Sequence, residues 1–199
     1  MIKIGLTGSI GMGKSTTSDM FKALGVPVVS ADETVHELYS AEAAPLIEAA
    51  FPGTAPDGVV DRKVLSEKLM ARPDDFKRLE AIIHPLVRAR EQSFLQQAAA
   101  RDEKMVLLDI PLLFETGTTD RVDVIVVVSC APEIQRQRVL ARPGMTAEKF
   151  EAILSRQTPD AEKRNRADYV IDTGQGLEAA RQQVGDIVAE LSSSTGKGE

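Results

Sequence analysis

Short apolar segments alternate with longer amphipathic segments along most of the chain. The apolar segments are rich in Val, Ile and Leu, which is typical of strands buried on both faces of a parallel sheet. The predicted strands are 2–7, 26–30, 105–110, 122–129 and 168–172, and the helices between them are 14–24, 32–39, 132–142 and 177–191. This alternation predicts an α/β fold with right-handed crossovers.

The segment 43–100 breaks the alternation, because it contains about three helical patterns and no convincing strand. Asp61 is predicted to begin one helix that stops at Arg72-Pro73, and Pro73-Asp74-Asp75 to begin the next. We therefore expect a single unit with three parts and a Ser/Gly-rich flexible tail. These parts are a core over about 1–40, 101–135 and 165–191, a helical insertion over about 41–100, a lid over about 136–164, and the tail 192–199.

The first predicted strand runs into Gly8-Ser-Ile-Gly-Met-Gly-Lys14-Ser15, which matches GxxxxGK[ST] at every fixed position. Glycines allow successive backbone N–H groups to converge on phosphates at a helix N-terminus. Lys14 would supply charge to the β- and γ-phosphates, and the Ser15 hydroxyl would coordinate Mg²⁺. The alternative, a turn without a ligand, leaves a lysine unfavourably at a positive helix end. The motif predicts a P-loop NTPase fold with a five-stranded parallel sheet flanked by helices.

The residues after the second strand favour a kinase over a GTPase, since neither Asn-Lys-x-Asp nor Asp-x-x-Gly occurs in the sequence. Asp32 lies where that strand ends, at the sheet edge where ligands bind in open α/β folds. It would orient an attacking hydroxyl and accept its proton late in phosphoryl transfer. Alternatively, Asp32 only stabilises a helix N-terminus, where Ser30-x-x-Glu33 fits a capping box. The two roles are compatible.

Composition and charge indicate which kinds of partner the protein binds and in which cellular compartment it works. The net charge of −6, with both signs interspersed, disfavours nucleic acid. No apolar stretch approaches the length of a membrane span, and the apolar N-terminus is too short for a signal peptide. Cys130 is the only cysteine and is interpreted as a small buried hydrophobe. We expect a cytoplasmic protein that contacts no membrane, as a monomer or weak homo-oligomer.

An ordered set of motifs resembles the dephospho-CoA kinase family over nearly the whole chain, and the set is far more specific than any one member. The motifs are the segment 6–16 with the P-loop, Ala31-Asp32, Asp61-Arg62 with Leu65, 84–88 (HPLVR), 111–115 (PLLFE), the basic segment 136–142, Arg156-Gln157 and 167–172 (ADYVID).

The resemblance implies phosphorylation of the ribose 3′-hydroxyl of dephospho-CoA by ATP with Mg²⁺, the last step of coenzyme A biosynthesis. It implies catalytic roles for Asp32, Lys14 and Arg142, with Asp32 meeting the 3′-hydroxyl. The insertion would form the CoA-binding side. The implied ATP-binding residues are Gly11, Met12, Gly13, Lys14, Ser15, Thr16 and Arg142, and the implied substrate-binding residues are Thr7, Asp32, His84, Arg88 and Leu113.

Several of these residues have a plain structural alternative. His84 would be a buried residue satisfied by a partner, and Pro85 tends to break or kink its helix. The apolar loop that contains Leu113 would either pack against a pantetheine arm or belong to the core. Asp109 would either hold a Mg²⁺-bound water or act as a buried hydrogen-bond acceptor. Glu115 would fix the shape of the loop or contact a substrate group.

A basic segment resembles the mobile lid of nucleoside-monophosphate kinases. Arg136, Arg138 and Arg142 are predicted on one helix, and the spacing of four places Arg138 and Arg142 on one face. Arg142 would bring charge to the transition state and help to exclude water, whereas Arg136 is more typical of a solvated face. Pro143-Gly144 would end this helix before Thr146 caps the next.

The segment at the end of the predicted lid and the turn after the last strand contain further candidates for nucleotide contact. Arg156 is a second candidate for phosphate contact, and Thr158 is predicted to cap a helix with Pro159 in its first position. After Asp172, Thr173 and Gly174 replace the Asn-containing turn that the family usually carries, so no adenine contact is assigned. The alternative functions are another small-molecule or nucleoside-monophosphate kinase, and a nucleotide-sensing protein that transfers no phosphate.

Overall fold

The computed structural model describes residues 1–72 and 74–194, and it divides the chain into two compact units. The first comprises Met1–Val28 and the described part of Ala98–Glu199, and the second comprises Val29–Gln97. The predicted helix start at Pro73 lies outside the described residues. Residues 195–199 of the predicted tail also lie outside them, whereas residues 192–194 belong to the last helix.

The strands form one sheet of five in the order β2-β3-β1-β4-β5. The pairs β1/β3, β1/β4 and β4/β5 are parallel, which confirms the predicted α/β class and parallel sheet. β2 begins at Val28, where the first segment of the first unit ends. The strands are β1 Ile2–Thr7, β2 Val28–Ser30, β3 Met105–Asp109, β4 Val124–Ser129 and β5 Tyr169–Asp172.

The helices of the first unit lie between and after these strands. They are α1 Lys14–Ala23, α6 Pro132–Leu140, α7 Ala147–Leu154, α8 Asp160–Asn165 and α9 Leu177–Ser194, with a 3₁₀ turn at Thr119–Arg121. Phe21 of α1 and Val184 of α9 are fully buried with Leu6 and Val126 of the sheet in one aliphatic core. This core fixes the central strand β1, so the loop that follows it starts from a rigid edge.

The second unit is helical and is built on its own apolar cluster, which includes Leu38, Ile47 and Leu65. Ser30 and Asp61 cap two of its helices through their side chains, and each side chain accepts backbone N–H groups of the first turn. The helices are α2 Ala31–Leu38, α3 Ala43–Ala50, α4 Arg62–Ala71 and α5 Asp75–Ala100, of which the last enters the first unit at Ala98.

Two local predictions were wrong, and of the break or kink predicted at Pro85 the break is absent. α5 is not broken at Pro85, because Ile83 and Leu86 on either side pack into the apolar cluster and hold the helix against the loss of one backbone donor. α6 ends at Leu140, so Arg142 lies beyond the helix. α8 starts at Asp160 with Pro159 in the capping position. Thr158 therefore lies one residue before the capping position, and no side-chain cap hydrogen bond is made.

Across the described ranges, no helix combines the length and the apolar character needed to cross a membrane.

Candidate phosphate-binding and phosphoryl-transfer site

The loop between β1 and α1 has the backbone conformation that its glycines predict. Gly11 and Gly13 adopt φ of 79° and 95°, in the left-handed region. A Cβ on Gly11 would overlap Val139 of α6, so this glycine also allows close packing. Met12 is 2% exposed, and its N–H donates to the carbonyl of Ser9. The loop is therefore tightly held where it approaches α1.

Lys14, the first residue of α1, forms an ion pair with Asp109 at the end of β3. Both side chains are largely buried, with 13% and 5% of their surfaces exposed. Asp109 is thus a buried acceptor for the loop lysine, which was one of the two roles predicted for it. Ser15 and Thr16 are exposed at the start of the same helix.

A cavity of about 270 Å³ opens beside the loop and brings several predicted residues together. Arg138 and Arg142 both line it, so the predicted juxtaposition is present although Arg142 is outside the helix. Arg142 is exposed, whereas Arg138 is partly buried. The other lining residues are Gly11, Gly13, Thr16, Thr17, Met20, Thr173, Gly176, Leu177 and Ala180.

Thr173 is a residue of this site that sequence reasoning left without a role. Its hydroxyl donates to the carbonyl of Met12 at 2.7 Å and accepts from Arg138 at 3.0 Å. A second nitrogen of Arg138 donates to the Thr173 carbonyl at 2.8 Å. Thr173 therefore ties the phosphate loop to an arginine of the cavity. The departure from the Asn-containing turn was the available signal, but the partners of Thr173 lie far from it along the chain.

Glu115, in the loop after β3, forms a buried ion pair with α8. Its Oε1 lies 2.8 Å from Nζ of Lys163, a side chain of α8 with no exposed surface, and accepts the N–H of Thr158 at 2.8 Å. Burial alone would raise the pKa of Glu115, but the Lys163 ammonium and the Thr158 N–H outweigh burial and lower it. Glu115 thus ties the loop after β3 to Thr158 and α8, which fits the predicted role of fixing the shape of this loop.

Glu115→Gln is expected to lower the free energy of unfolding by about 3 kcal/mol, because it leaves the buried Lys163 ammonium without its anion. Urea unfolding at pH 7 measures this change. Because the folded pKa of Glu115 lies below its ordinary 4.5, the stabilisation should be present above about pH 4.5 and be lost as pH falls through the lowered pKa. Glu162→Gln is the control and should change little, because it breaks only an exposed pair between α8 and the residue that follows it, Arg166. Equal effects of the two variants would contradict this account.

In the second unit, Asp32 lies in the first turn of α2 and is exposed. It lines a cavity of about 600 Å³ with Glu33, His36 and Arg62. The Ser30 hydroxyl accepts the N–H of Glu33 at 3.3 Å, so the predicted helix cap is present. The cap is made by the Ser30 side chain, and Asp32 is an acidic residue of the first turn.

The predicted substrate-binding residues differ in exposure. His84 and Arg88 lie one turn apart on α5 and are exposed, so the interpretation of His84 as a buried residue was wrong. Thr7 and Leu113 have no exposed surface, and the Thr7 hydroxyl donates to the Pro111 carbonyl at 3.2 Å. Their burial favours core packing for Leu113 and a structural hydrogen bond for Thr7; substrate contact by these residues stays a prediction.

Three further residues singled out in the sequence are two arginines and the cysteine. Arg136 forms an exposed ion pair with Glu151 of α7 at 2.8 Å. Arg156 is exposed. Cys130 is buried, its Sγ lies 3.5 Å from Sδ of Met12, and burial raises its pKa, so its thiol is a packing group as predicted.

Comparison with known proteins decides the family. The family model described as dephospho-CoA kinase matches residues 2–178. The chain belongs to the dephospho-CoA kinase family. A dephospho-CoA kinase from Agrobacterium fabrum is 64% identical over 191 residues, covering 96% of this chain and 98% of that protein. The predicted resemblance and the predicted enzyme class, a kinase, are confirmed by this membership.

Two solved structures have the same fold as this chain. TT1252 from Thermus thermophilus aligns with a TM-score of 0.81 and 34% identity, covering 96% of this chain and 97% of its own. Dephospho-CoA kinase from Campylobacter jejuni aligns with a TM-score of 0.68 and 25% identity, covering 95% and 96%. The assignment of individual site residues is a separate question, and those residues stay predictions.

Proposed function

We propose that this protein transfers the γ-phosphoryl group of ATP to the ribose 3′-hydroxyl of dephospho-CoA, giving CoA and ADP. The observation that carries the proposal is a complete phosphate loop, with a largely buried Lys14, in a chain that belongs to the dephospho-CoA kinase family over nearly its full length. We further propose that the protein works in the cytoplasm on these two small molecules.

On the nucleotide side, the loop amides from Gly11 to Gly13 and the first residues of α1 would hold the phosphates, as backbone N–H groups at a helix start do. Lys14 would exchange the carboxylate of Asp109 for the β- and γ-phosphates. The cavity lined by Arg138, Arg142 and Thr173 adjoins the same loop and has the volume for part of an adenosine. The proposal therefore assigns the adenosine to this cavity.

The donors near the loop also fit a Mg²⁺ ion that accompanies ATP. Ser15 offers an exposed hydroxyl and Asp109 a carboxylate, both hard oxygen ligands. No group of three or more His, Cys, Asp or Glu that could hold a metal occurs in residues 1–72 and 74–194. Mg²⁺ that accompanies a nucleotide is usually held mainly by phosphate oxygens and water, with one or two protein ligands. Bound there, Mg²⁺ would neutralise charge that develops on the phosphates.

On the acceptor side, Asp32 would accept a hydrogen bond from the 3′-hydroxyl, orient that oxygen in line with the γ-phosphorus and take its proton late in the transfer. The exposed position of Asp32 beside a cavity of about 600 Å³ supports this role. His84 and Arg88 are exposed on one face of α5 and would contact the remainder of dephospho-CoA. Arg142 would place its guanidinium against the charge of the transferring phosphoryl group.

An acceptor panel tests the function. Purified protein is incubated with ATP and Mg²⁺ and with dephospho-CoA, AMP, shikimate or no acceptor, and ADP release is followed. We expect ADP only with dephospho-CoA. ADP release with AMP or shikimate alone would assign a different acceptor, and release without any acceptor would contradict transfer to a hydroxyl group.

A further inference from the structure

Ile10, at the tip of the phosphate loop, has both of its backbone polar groups held by glutamine side chains. Its N–H donates to Oε1 of Gln157 at 3.1 Å, and its carbonyl accepts from Nε2 of Gln135 at 2.8 Å. Gln135 belongs to α6 and is 5% exposed, whereas Gln157 lies between α7 and α8. Neither glutamine is part of the GxxxxGK[ST] motif. We call these two residues the Ile10 clamp.

The clamp contacts a part of the loop that needs external support. Glycine-rich backbone has many accessible conformations, and only those with converging N–H groups bind phosphate well. At the neighbouring Gly11, a Cβ would lie 3.1 Å from the backbone oxygen of Gln135. α6 therefore meets the loop through both the backbone and the side chain of Gln135. Its contacts restrict the peptide groups just before those that would bind phosphate.

Gln157 is itself held in place by its neighbour. The N–H of Thr158 donates to Glu115, whose carboxylate pairs with the fully buried Lys163. Because residues 157 and 158 are adjacent, this buried ion pair limits the movement of the Gln157 backbone. The acceptor that reaches Ile10 thus comes from a segment anchored on the loop after β3.

We propose that Gln135 and Gln157 are positioning residues for ATP, which act by fixing the Ile10 peptide so that the loop N–H groups stay arranged for phosphate. The inference rests on the proposed function, since it takes the loop to be the ATP phosphate site. The two residues act through the loop, so their removal should weaken nucleotide binding more than it weakens the fold.

The Gln157 pair of variants gives the sharpest test, with the Kd of a non-hydrolysable ATP analogue measured by calorimetry. Gln157→Met removes the acceptor and should raise Kd about tenfold, the usual effect of leaving one polar group unsatisfied. Gln157→Glu keeps an oxygen for the Ile10 N–H and should recover most of that loss, although it adds a negative charge near the phosphates. If Gln157→Glu binds more weakly than Gln157→Met, charge rather than the hydrogen bond decides affinity, and the proposal is overturned.

Gln135 provides an independent test with a matched control. Gln135→Glu places a carboxylate against the Ile10 carbonyl and should raise Kd by more than about tenfold. Gln137→Glu adds the same charge at an exposed position of α6 and should leave Kd within about twofold. The melting temperature without nucleotide is measured for every variant. Lower melting temperatures with unchanged Kd values would show a purely structural role and overturn the proposal.

The Kd of the ATP analogue does not depend on which acceptor the enzyme uses. Binding of the analogue needs no acceptor, so a chain that phosphorylates a molecule other than dephospho-CoA would still show the clamp effects. A wild-type protein that does not bind the analogue would overturn the proposed function together with the clamp.

Discussion

Asp32→Asn is expected to lower kcat by about 10²- to 10⁴-fold, the usual contribution of general acid–base catalysis. The amide keeps the size of the side chain but can no longer take the proton of the acceptor hydroxyl. ATP affinity should remain within a few-fold, because Asp32 acts on the acceptor. Steady-state kinetics with dephospho-CoA, together with calorimetry for ATP, measures both quantities.

Glu33→Gln is the matched control for this variant. Glu33 is the next residue of the same helical turn, is exposed and lines the same cavity, so its substitution removes an equal charge from the same region. We expect kcat to change by less than about threefold, as for removal of a charge that takes no part in the reaction. If the two substitutions lower kcat equally, Asp32 contributes only its negative charge and does not take the proton of the acceptor. If Asp32→Asn leaves turnover unchanged, the residue is no more than a favourable charge at the start of α2.

Lys14→Met is expected to lower kcat/KM by at least about 10³-fold, because the variant loses the charge that would meet the β- and γ-phosphates. The same substitution should lower the free energy of unfolding by about 3 kcal/mol, since the largely buried Asp109 carboxylate loses its ammonium partner. Kinetics and urea unfolding are measured on the same preparation.

A double variant separates the two effects of Lys14. Lys14→Met/Asp109→Asn removes the buried negative charge as well and should recover most of the stability, while its activity stays low. Lys3→Met is the control on the same strand-helix segment, because its pair with Asp123 spans 3.9 Å and is well exposed. Recovery of activity in the double variant would show that the ion pair, and not phosphate binding, is the role of Lys14.

The features that the sequence predicted well are local ones. The strands followed from runs such as Met105–Asp109, whose residues are all buried, and the phosphate loop followed from glycines and a lysine within a few positions. Ser30 and Asp61 were assigned as helix starts from side-chain chemistry and accept first-turn N–H groups. The strands, the phosphate loop and the helix starts each depend on residues that are close in sequence. Their structure therefore follows from residue propensity and spacing.

The features that the sequence could not predict depend on contacts between distant residues. Lys163 lies in a short helix among charged neighbours, a pattern typical of a solvated face, yet its side chain is fully buried against Glu115. Thr173 and Gln157 bind backbone groups of the phosphate loop from the far end of the chain. The same limit applies to Thr158. A local rule assigns it to helix capping, but α8 begins one residue later, with Pro159 in the capping position.

Delivery of the phosphoryl group to one ribose oxygen of dephospho-CoA can be observed in the product itself. The wild-type protein is incubated with ATP, Mg²⁺ and dephospho-CoA, and the product is assigned by phosphorus and proton NMR. We expect one equivalent of ADP and a new phosphomonoester coupled to the ribose H3′ proton. ADP accompanied by inorganic phosphate, or a phosphomonoester at another position, would contradict this expectation.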